Sequence, residues 1–249
     1  MIHYKTEEEI NAMIEGGEKL KKAVSLLLPQ IKVGMSTKEI DDEAERLIRL
    51  EGAEPGFKRV KGYSWTTCLP INEQVVHTPP SKRVLKEGDV LTVDIGAYYK
   101  GMNTDYATTF VLGKRDEKKD RFLKVGEETL YQAIKQAKLG NYLGQISKAI
   151  ETNIYKNGYF IQKQLTGHGV GKTLHEDPFI PGYLDRAIEK TTQIRQGLVI
   201  AIEVIYAMGS EEIAYEKGND WSITSADKSL TACFEHTIAI TDKETIVLT

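Results

Sequence analysis

The chain has 249 residues, of which 41% are hydrophobic and 28% are charged, and its formal net charge is −3. These proportions are typical of a globular protein that is long enough to bury a core. The scattered basic residues leave no strongly basic footprint for nucleic acid. No apolar run reaches the length of a membrane span, so we expect neither nucleic acid nor a membrane as a partner.

The two cysteines, Cys68 and Cys233, lie far apart in the sequence and form no paired motif. The first ten residues, MIHYKTEEEI, are acidic and lack the apolar core of a secretory signal. Free thiols without such a signal are typical of a reducing compartment. We therefore expect a cytoplasmic protein.

The first half opens with two helical patterns. Thr6, followed by three glutamates, predicts a helix that begins there and continues until Pro29. Ser36 and Glu39 form a capping-box pattern, which predicts a second helix that ends at Gly52. Residues 84–91, 93–99 and 107–111 then have the composition of strands, with turns at Glu87-Gly88 and at Gly101.

The second half has the same order of elements. The run of mixed charge over residues 114–124 is typical of a solvated linker. Helical patterns over residues 120–137 and 143–157 are followed by β patterns over 159–166, 198–208 and 233–241. Helices that bracket antiparallel strands, twice, predict an α+β fold with a pseudo-twofold axis.

A sequence repeat supports this division. Gly34 and Gly140 each follow a lysine and an aliphatic residue, and each precedes an isoleucine by six positions. Further on, Gly88 and Gly197 each precede an acidic residue by six positions. We therefore expect one domain over residues 1–249, with repeated halves at about 1–113 and 114–249.

Five residues with metal-binding side chains lie in apolar or glycine-rich surroundings. They are Asp94, Asp105, His168, Glu203 and Glu235. An ionised carboxylate among apolar residues loses its hydration and needs a partner, and few lysines or arginines lie beside these five in sequence. Four carboxylates and one imidazole suit two divalent ions bridged by carboxylates. The sequence thus predicts a dinuclear metal site.

Taken alone, each of these residues has another interpretation. An aspartate in a β pattern is often a turn or cap residue, and Glu235 would suit an exposed edge strand. Three further residues, which are considered below, are equally ambiguous. His175 would suit a structural pair with Glu176, Trp221 would suit a core position, and Cys68 would suit the role of a small apolar filler. The five candidate ligands considered together favour the metal site.

A longer pattern carries a family resemblance. The motif GHGVGK at residues 167–172 is followed by LHEDP at residues 174–178, and EHT at residues 235–237 completes the set with Asp94 and Asp105. This pattern resembles that of the type I methionine aminopeptidases, over nearly the whole chain. The resemblance implies the pita-bread fold, with helices outside and antiparallel strands inside around a dinuclear metal site. Prolidases share this fold but usually carry an extra N-terminal domain, for which this chain is too short.

The resemblance also implies a role for each ligand. Asp94 would bind one metal ion, Asp105 and Glu235 would bridge two ions, and His168 and Glu203 would complete the other site. The ions would be divalent Co, Mn, Fe or Zn, among which mixed oxygen and nitrogen ligands do not discriminate. Glu203 would in addition act as a general base.

Two further histidines and a side-chain pocket follow from the same resemblance. His175 would donate to the developing oxyanion and His77 would contact the scissile amide, both outside the metal ligand set. The methionine pocket would be lined by Tyr63, Cys68, Trp221 and Leu174, the last at a position where a bulkier residue is usual.

The chain departs from the family pattern at two places. Thr78 follows His77 where a glycine is usual, and Val204 and Ile205 follow Glu203 where proline and methionine are usual. None of the three is a ligand. We therefore expect metal binding to be kept, and pocket shape or rate to be altered.

The implied activity is removal of the N-terminal methionine from nascent proteins and peptides when the second residue is small. The protein would act as a monomer and could meet its substrates at the ribosome.

Three alternatives stay open. One is another pita-bread peptidase, such as a Xaa-Pro dipeptidase or aminopeptidase. The second is a non-catalytic binding module with the same fold. The third is a carboxylate-only hydrolase such as a glycosidase, which would need no metal.

Overall fold

The computed structural model describes residues 1–114 and 116–249 of the chain. These residues form four α-helices, which are α1 (Glu7–Leu27), α2 (Thr37–Leu50), α3 (Glu117–Ile134) and α4 (Leu143–Lys156). Short 3-10 turns lie at Leu28–Gln30, Phe57–Arg59 and Ile188–Lys190. Within the described residues, no helix combines the length and the apolar character that crossing a membrane requires.

Thirteen strands lie in the same described residues. They are β1 (Glu54–Pro55), β2 (Thr67–Cys68), β3 (Gln74–Val76), β4 (Val90–Tyr99), β5 (Met102–Val111), β6 (Phe160–Ile161), β7 (Thr166–Gly169), β8 (Glu176–Pro181), β9 (Val199–Ala207), β10 (Ile213–Tyr215), β11 (Ile223–Ser225), β12 (Thr231–Ile240) and β13 (Thr245–Val247). Ten of them form one sheet whose main path runs β1-β4-β5-β12-β9-β7-β8. The other three form a small sheet in the order β10-β11-β3.

The long strands β4, β5, β12 and β9 are neighbours at the centre of the large sheet, and every pairing between them is antiparallel. Helix α1 packs on β4 and β5, and α3 packs on β9 and β12. Helices α2 and α4 pack in turn on α1 and α3. The predicted α+β architecture, with helices outside and antiparallel strands inside, is therefore confirmed.

Alternation along β9 explains why an almost entirely apolar strand carries one acid. Ile200, Ile202, Val204 and Tyr206 belong to the core cluster beneath α3 and α4. Glu203 lies between them, and successive side chains of a strand point to opposite faces. Its carboxylate therefore faces away from the helices. Val204 is fully buried on the helix side, so its side chain points away from the face that carries Glu203.

The predicted starts of α1 and α2 are confirmed. The Thr6 side chain accepts a hydrogen bond from the Glu9 backbone N–H, while the Glu9 carboxylate accepts one from the Thr6 N–H. Ser36 and Glu39 make the same reciprocal pair at the start of α2. Each capping box satisfies N–H groups that the first helical turn leaves free.

Several predicted boundaries are wrong, and two of them have a clear physical reason. The strand expected over residues 84–91 begins only at Val90, because the chain first turns through Gly88, whose φ is +81°. The linker expected over residues 114–124 is mostly helix, since Asp116 accepts hydrogen bonds from the backbone N–H groups of Lys118 and Lys119 and thereby caps α3. Its mixed charges lie on a helix surface, and residue 115 lies outside the described residues.

The glycines of the sequence repeat have matching conformations. Gly34 and Gly140, which precede α2 and α4, have φ angles of +93° and +88°. Gly88 and Gly197, which precede β4 and β9, have φ angles of +81° and +84°. Side chains other than hydrogen are disfavoured at such angles. The repeat in the sequence thus corresponds to equivalent turns in the structure.

Candidate active site

The five predicted ligands lie on five strands of the large sheet. Asp94 is on β4, Asp105 on β5, Glu235 on β12, Glu203 on β9 and His168 on β7. These strands are consecutive along the path of the sheet. All five side chains line one cavity, which has a volume of about 210 Å³.

The donor atoms of these side chains approach one another closely. His168 Nε2 lies 3.4 Å from Glu203 Oε1 and 3.8 Å from Asp105 Oδ2. One ligand atom from each of Asp105, His168 and Glu235 lies within 4.8 Å of the other two. The spacing is short enough for one cation to contact several of the donors.

The orientation of His168 suits a metal ligand. Its Nδ1 lies 2.9 Å from the carbonyl oxygen of Gly169, to which the Nδ1–H donates. With the proton on Nδ1, the lone pair of Nε2 faces Glu203 and Asp105. A histidine ligand is commonly fixed in this way through its other ring nitrogen.

No lysine or arginine is among the described residues that line the cavity, so no side-chain cation there offsets the charge of the carboxylates. Burial raises the pKa of Asp105 to about 7. Burial, together with repulsion from Asp105, raises the pKa values of Asp94, Glu203 and Glu235 well above those of free carboxyls. Burial also lowers the pKa of His168 to about 3, so that its ring adds no positive charge near neutral pH.

One carboxylate oxygen makes the requirement for a cation explicit. Glu235 is 2% exposed, and its Oε1 has no hydrogen-bond partner among the described residues. A buried oxygen without a donor costs free energy unless another group binds it. Carboxylates with a neutral imidazole are a ligand set for divalent metal ions. The residues therefore fit the metal centre predicted from the sequence.

The two additional histidines line the same cavity. The centre of the His175 ring lies 4.4 Å from that of His168, in an edge-to-face contact. His77 comes directly after β3 and has a φ of +58°, in the left-handed region that is uncommon for a side chain of its size. Burial and the nearby His175 lower the pKa of His77 to about 4, which keeps its ring neutral near pH 7.

The predicted pocket residues form the apolar wall of the cavity. Tyr63, Cys68 and Leu174 are buried in one cluster, against which Trp221 packs. Tyr63 and Trp221 meet edge to face with ring centres 5.1 Å apart. The Tyr63 hydroxyl donates to the carbonyl of Thr67 over 2.8 Å. The pocket adjoins the ligands directly, because Cys68 is paired with Asp94 between β2 and β4.

Sequence reasoning missed three residues of the cavity wall, namely Phe57, Val60 and Val76. Phe57 lies in the 3-10 turn that follows Pro55 and Gly56. A side chain at Gly56 would come within 3.1 Å of the Gly96 backbone, so this glycine brings the turn close to β4. In the sequence the same Pro-Gly pair indicates only the end of a helix.

Thr78, which stands where a glycine is usual in the family, links two walls of the site. Thr78 is buried, and its Oγ1 lies 2.8 Å from the Oγ of Ser222, which is also buried. The hydrogen bond connects the residue after His77 to the residue after Trp221. The Thr78 side chain thus occupies interior space next to His77, and its effect on pocket shape or rate stays a prediction.

Comparisons with known proteins place the chain in a family. Residues 11–242 match metallopeptidase family M24, and the chain belongs to this family. It is 39% identical over 249 residues to methionine aminopeptidase 1 of Bacillus subtilis, a match that covers 100% of this chain and 99% of that protein. The predicted resemblance to the methionine aminopeptidases is thereby confirmed.

Solved structures agree with this assignment. The methionine aminopeptidase of Thermotoga maritima superposes with a TM-score of 0.95 at 35% identity, covering 100% of this chain and 99% of that one. The prolidase of Pyrococcus furiosus superposes with a TM-score of 0.80 at 26% identity, and the match covers 65% of the prolidase chain. The pita-bread fold is confirmed.

Proposed function

We propose that the chain is a metal-dependent aminopeptidase that removes an N-terminal methionine when the second residue is small. The observation that carries this proposal is the meeting of five ligand side chains with an apolar pocket in one cavity. The names of the relatives that match over the full chain support the same activity.

Two divalent ions, drawn from Co, Mn, Fe and Zn, would be held by Asp94, Asp105, His168, Glu203 and Glu235. Asp105 and Glu235 would serve both ions, as the resemblance to the methionine aminopeptidases implies, and the strands that carry them, β5 and β12, are neighbours in the sheet. When bound, such ions polarise a carbonyl group and make water a stronger acid. The unpartnered oxygen of Glu235 supports this assignment.

Glu203 would accept the proton of the attacking water and later deliver a proton to the leaving amine. Its carboxylate is placed for this task at the cavity, 3.4 Å from His168 Nε2. Burial and repulsion from Asp105 raise its pKa. That shift belongs to the metal-free protein, and bound cations would counter it and keep the carboxylate ionised, as a general base must be.

The neutral histidines would contact the substrate. His175, beside His168, would donate to the oxygen of the scissile carbonyl as negative charge develops there. His77 would contact the scissile amide nitrogen from the other side. The methionine side chain would lie against Tyr63, Cys68, Leu174 and Trp221 in the apolar part of the cavity.

The remaining proposals concern the cellular setting. The substrates would be the N-termini of nascent polypeptides, met at the ribosome, and the chain would act as a monomeric single domain whose halves are residues 1–113 and 114–249. The two free cysteines suit the reducing cytoplasm as the compartment.

The test is peptide cleavage by protein that has been stripped with a chelator and reloaded with single divalent metals. We expect Met-Ala-Ser to lose its methionine and Ala-Pro peptides to be left intact. The Glu203→Gln variant is the matched control, because it keeps the size of the side chain and one ligating oxygen.

Each alternative function has its own outcome. Preferred cleavage of Ala-Pro peptides would assign the chain to the Xaa-Pro peptidases. Bound metal without cleavage of either peptide would indicate a binding module. Hydrolysis that persists after chelation would contradict metal dependence altogether.

A further inference from the structure

The segment over residues 171–176 carries His175 and Leu174 to the cavity. Much of it lies at the surface, since Lys172, Thr173 and His175 are exposed. An exposed segment is mobile unless buried contacts fix its ends. Precise placement of a catalytic side chain therefore needs an anchor outside the segment.

A fully buried lysine contacts the end of this segment. The side chain of Lys5 is 0% exposed, and its Nζ donates to Glu176 Oε2 over 2.8 Å. A buried ammonium is tolerated only when it is paired and hydrogen-bonded. Lys5 itself is held in place, because its backbone N–H donates to the carbonyl of Gly197 over 2.7 Å.

The same carboxylate extends the contact towards His175. Glu176 Oε1 accepts a hydrogen bond from the backbone N–H of Thr173 over 3.1 Å. The Thr173 hydroxyl in turn donates to the carbonyl oxygen of His175 over 3.0 Å. Burial raises the pKa of Glu176, but the Lys5 ammonium and the Thr173 N–H outweigh it and lower the pKa below its ordinary value, so the carboxylate is charged.

The packing around this ion pair is tight. A Cβ atom at Gly171 would lie 2.6 Å from Lys5 Cε and 2.7 Å from Glu176 Oε1. A side chain at this position would therefore have to displace the Lys5 or Glu176 side chain. The start of the segment is held separately by Asn103, whose Nδ2 donates to the carbonyl oxygen of Gly171 over 2.9 Å.

We propose that Lys5, through Glu176, is a positioning residue that holds His175 against His168 for the peptidase reaction. This inference rests on the proposed function only for its effect on rate. Lys5 does not touch the cavity, so its removal should change how well His175 is placed and leave the metal ligands alone.

Steady-state kinetics on Met-Ala-Ser would test the proposal with four proteins. They are the wild type, Lys5→Met, His175→Ala and the double variant. We expect Lys5→Met to lower kcat by about ten- to a hundredfold, with bound metal unchanged. In the His175→Ala background the same substitution should change kcat by less than about twofold, because the residue that it positions is already gone.

A matched control is Lys100→Met. Lys100 pairs with Glu15 over 2.7 Å, but both side chains are about half exposed, at 54% and 47%. We expect this variant to keep wild-type kcat. An equal loss of kcat from Lys5→Met in both backgrounds, or no loss in the wild-type background when His175→Ala itself loses kcat, would overturn the proposal.

Two additional measurements cover the remaining outcomes. If Lys5→Met does not fold, Lys5→Met with Glu176→Leu removes both charges, leaves no unpaired buried charge, and is tested in the same way.

Imidazole NMR signals of metal-free protein report the position of His175 without catalysis. We expect Lys5→Met, and not Lys100→Met, to shift the His175 signals. Unshifted signals would refute the positioning role, whereas shifted signals with normal kcat in His175→Ala would refute only the proposed catalytic role of His175.

Discussion

Glu203 and Glu235 lie directly opposite each other in the antiparallel pairing of β9 with β12. Like charges at opposed positions destabilise a sheet, and burial increases the cost. Burial and repulsion from Asp105 raise the pKa of both carboxyls, as expected when no cation is present. The pair therefore fits a site that binds cations. Without a cation, the two opposed carboxyls destabilise the sheet.

The first prediction separates the two roles of Glu203. Glu203→Gln keeps the size of the side chain and one ligating oxygen but cannot accept a proton. We expect kcat to fall by about a thousandfold or more, with the fold intact and at least one metal ion retained. Steady-state kinetics and metal analysis on the same sample would measure both quantities.

The control for this variant is Glu211→Gln, which alters an exposed carboxylate that pairs with Lys163 over 2.8 Å. Its kcat should equal that of the wild type. A wild-type kcat in Glu203→Gln at saturating metal would show that another group, with His175 and His77 the first candidates, takes the proton.

The second prediction concerns Asp105, on the central strand β5. Asp105→Asn should remove activity and lower the bound metal, because an amide is a weaker ligand and cannot bridge two cations. Asp242→Asn, at an exposed position, serves as the comparison. Full metal content together with full rate in Asp105→Asn would refute the bridging role.

The third prediction concerns the pocket wall. Cys68 lies 3.1 Å from the Tyr63 hydroxyl, and burial raises its thiol pKa, which makes it an apolar wall group and a poor nucleophile. Cys68→Ala should raise KM for Met-Ala-Ser by about tenfold, since a sulfur atom is lost from the pocket. Metal content should not change. Loss of metal would instead show that the thiol supports Asp94, its partner across β2 and β4.

Most of the ligand set could be predicted from the sequence for a physical reason. A carboxylate such as Glu203 in an apolar strand is costly, so its presence indicates a compensating partner. The repeat then predicts a matching acid, Asp94, in the first half. Strand alternation explains the outcome, since apolar neighbours such as Val204 face the helices while the acid faces the cavity.

The supporting contacts could not be predicted in this way. Lys5 and Glu176 are 171 positions apart, and neither residue is unusual in its local sequence. Phe57 reaches the cavity only because Gly56 lets its turn approach β4. The strand β4 begins only at Val90, because the polar residues 86–89 form the turn at Gly88 and do not extend the strand.

The last prediction concerns how the stability of the metal-free protein depends on pH. The contribution of each titrating side chain must be considered by itself. Asp105 has a folded-state pKa of about 7 against an ordinary value of 3.8. Such a group stabilises the fold at low pH, and this stability is lost as the pH rises through the folded-state pKa. His168 and His77 have lowered pKa values of about 3 and 4, and burial lowers the pKa values of His175 and His236 as well, so these four histidines act in the opposite direction, up to about one pH unit above their ordinary value of 6.5.

At pH 6.5 these histidines are still half protonated in the unfolded chain and partly offset the carboxylates, whereas about one pH unit higher they are neutral in both states and the carboxylates alone decide the slope. We expect the free energy of unfolding of the chelated protein to fall between about pH 6.5 and about pH 8. Urea denaturation at several pH values in this window would measure it. Asp105→Asn should weaken the fall because it removes one titrating group, and metal-loaded protein should not show it, because bound cations favour the ionised carboxylates. A constant or rising free energy of unfolding in the chelated wild type would show that the carboxyl cluster is already ionised without strain, and that the opposition of Glu203 and Glu235 costs the metal-free protein nothing.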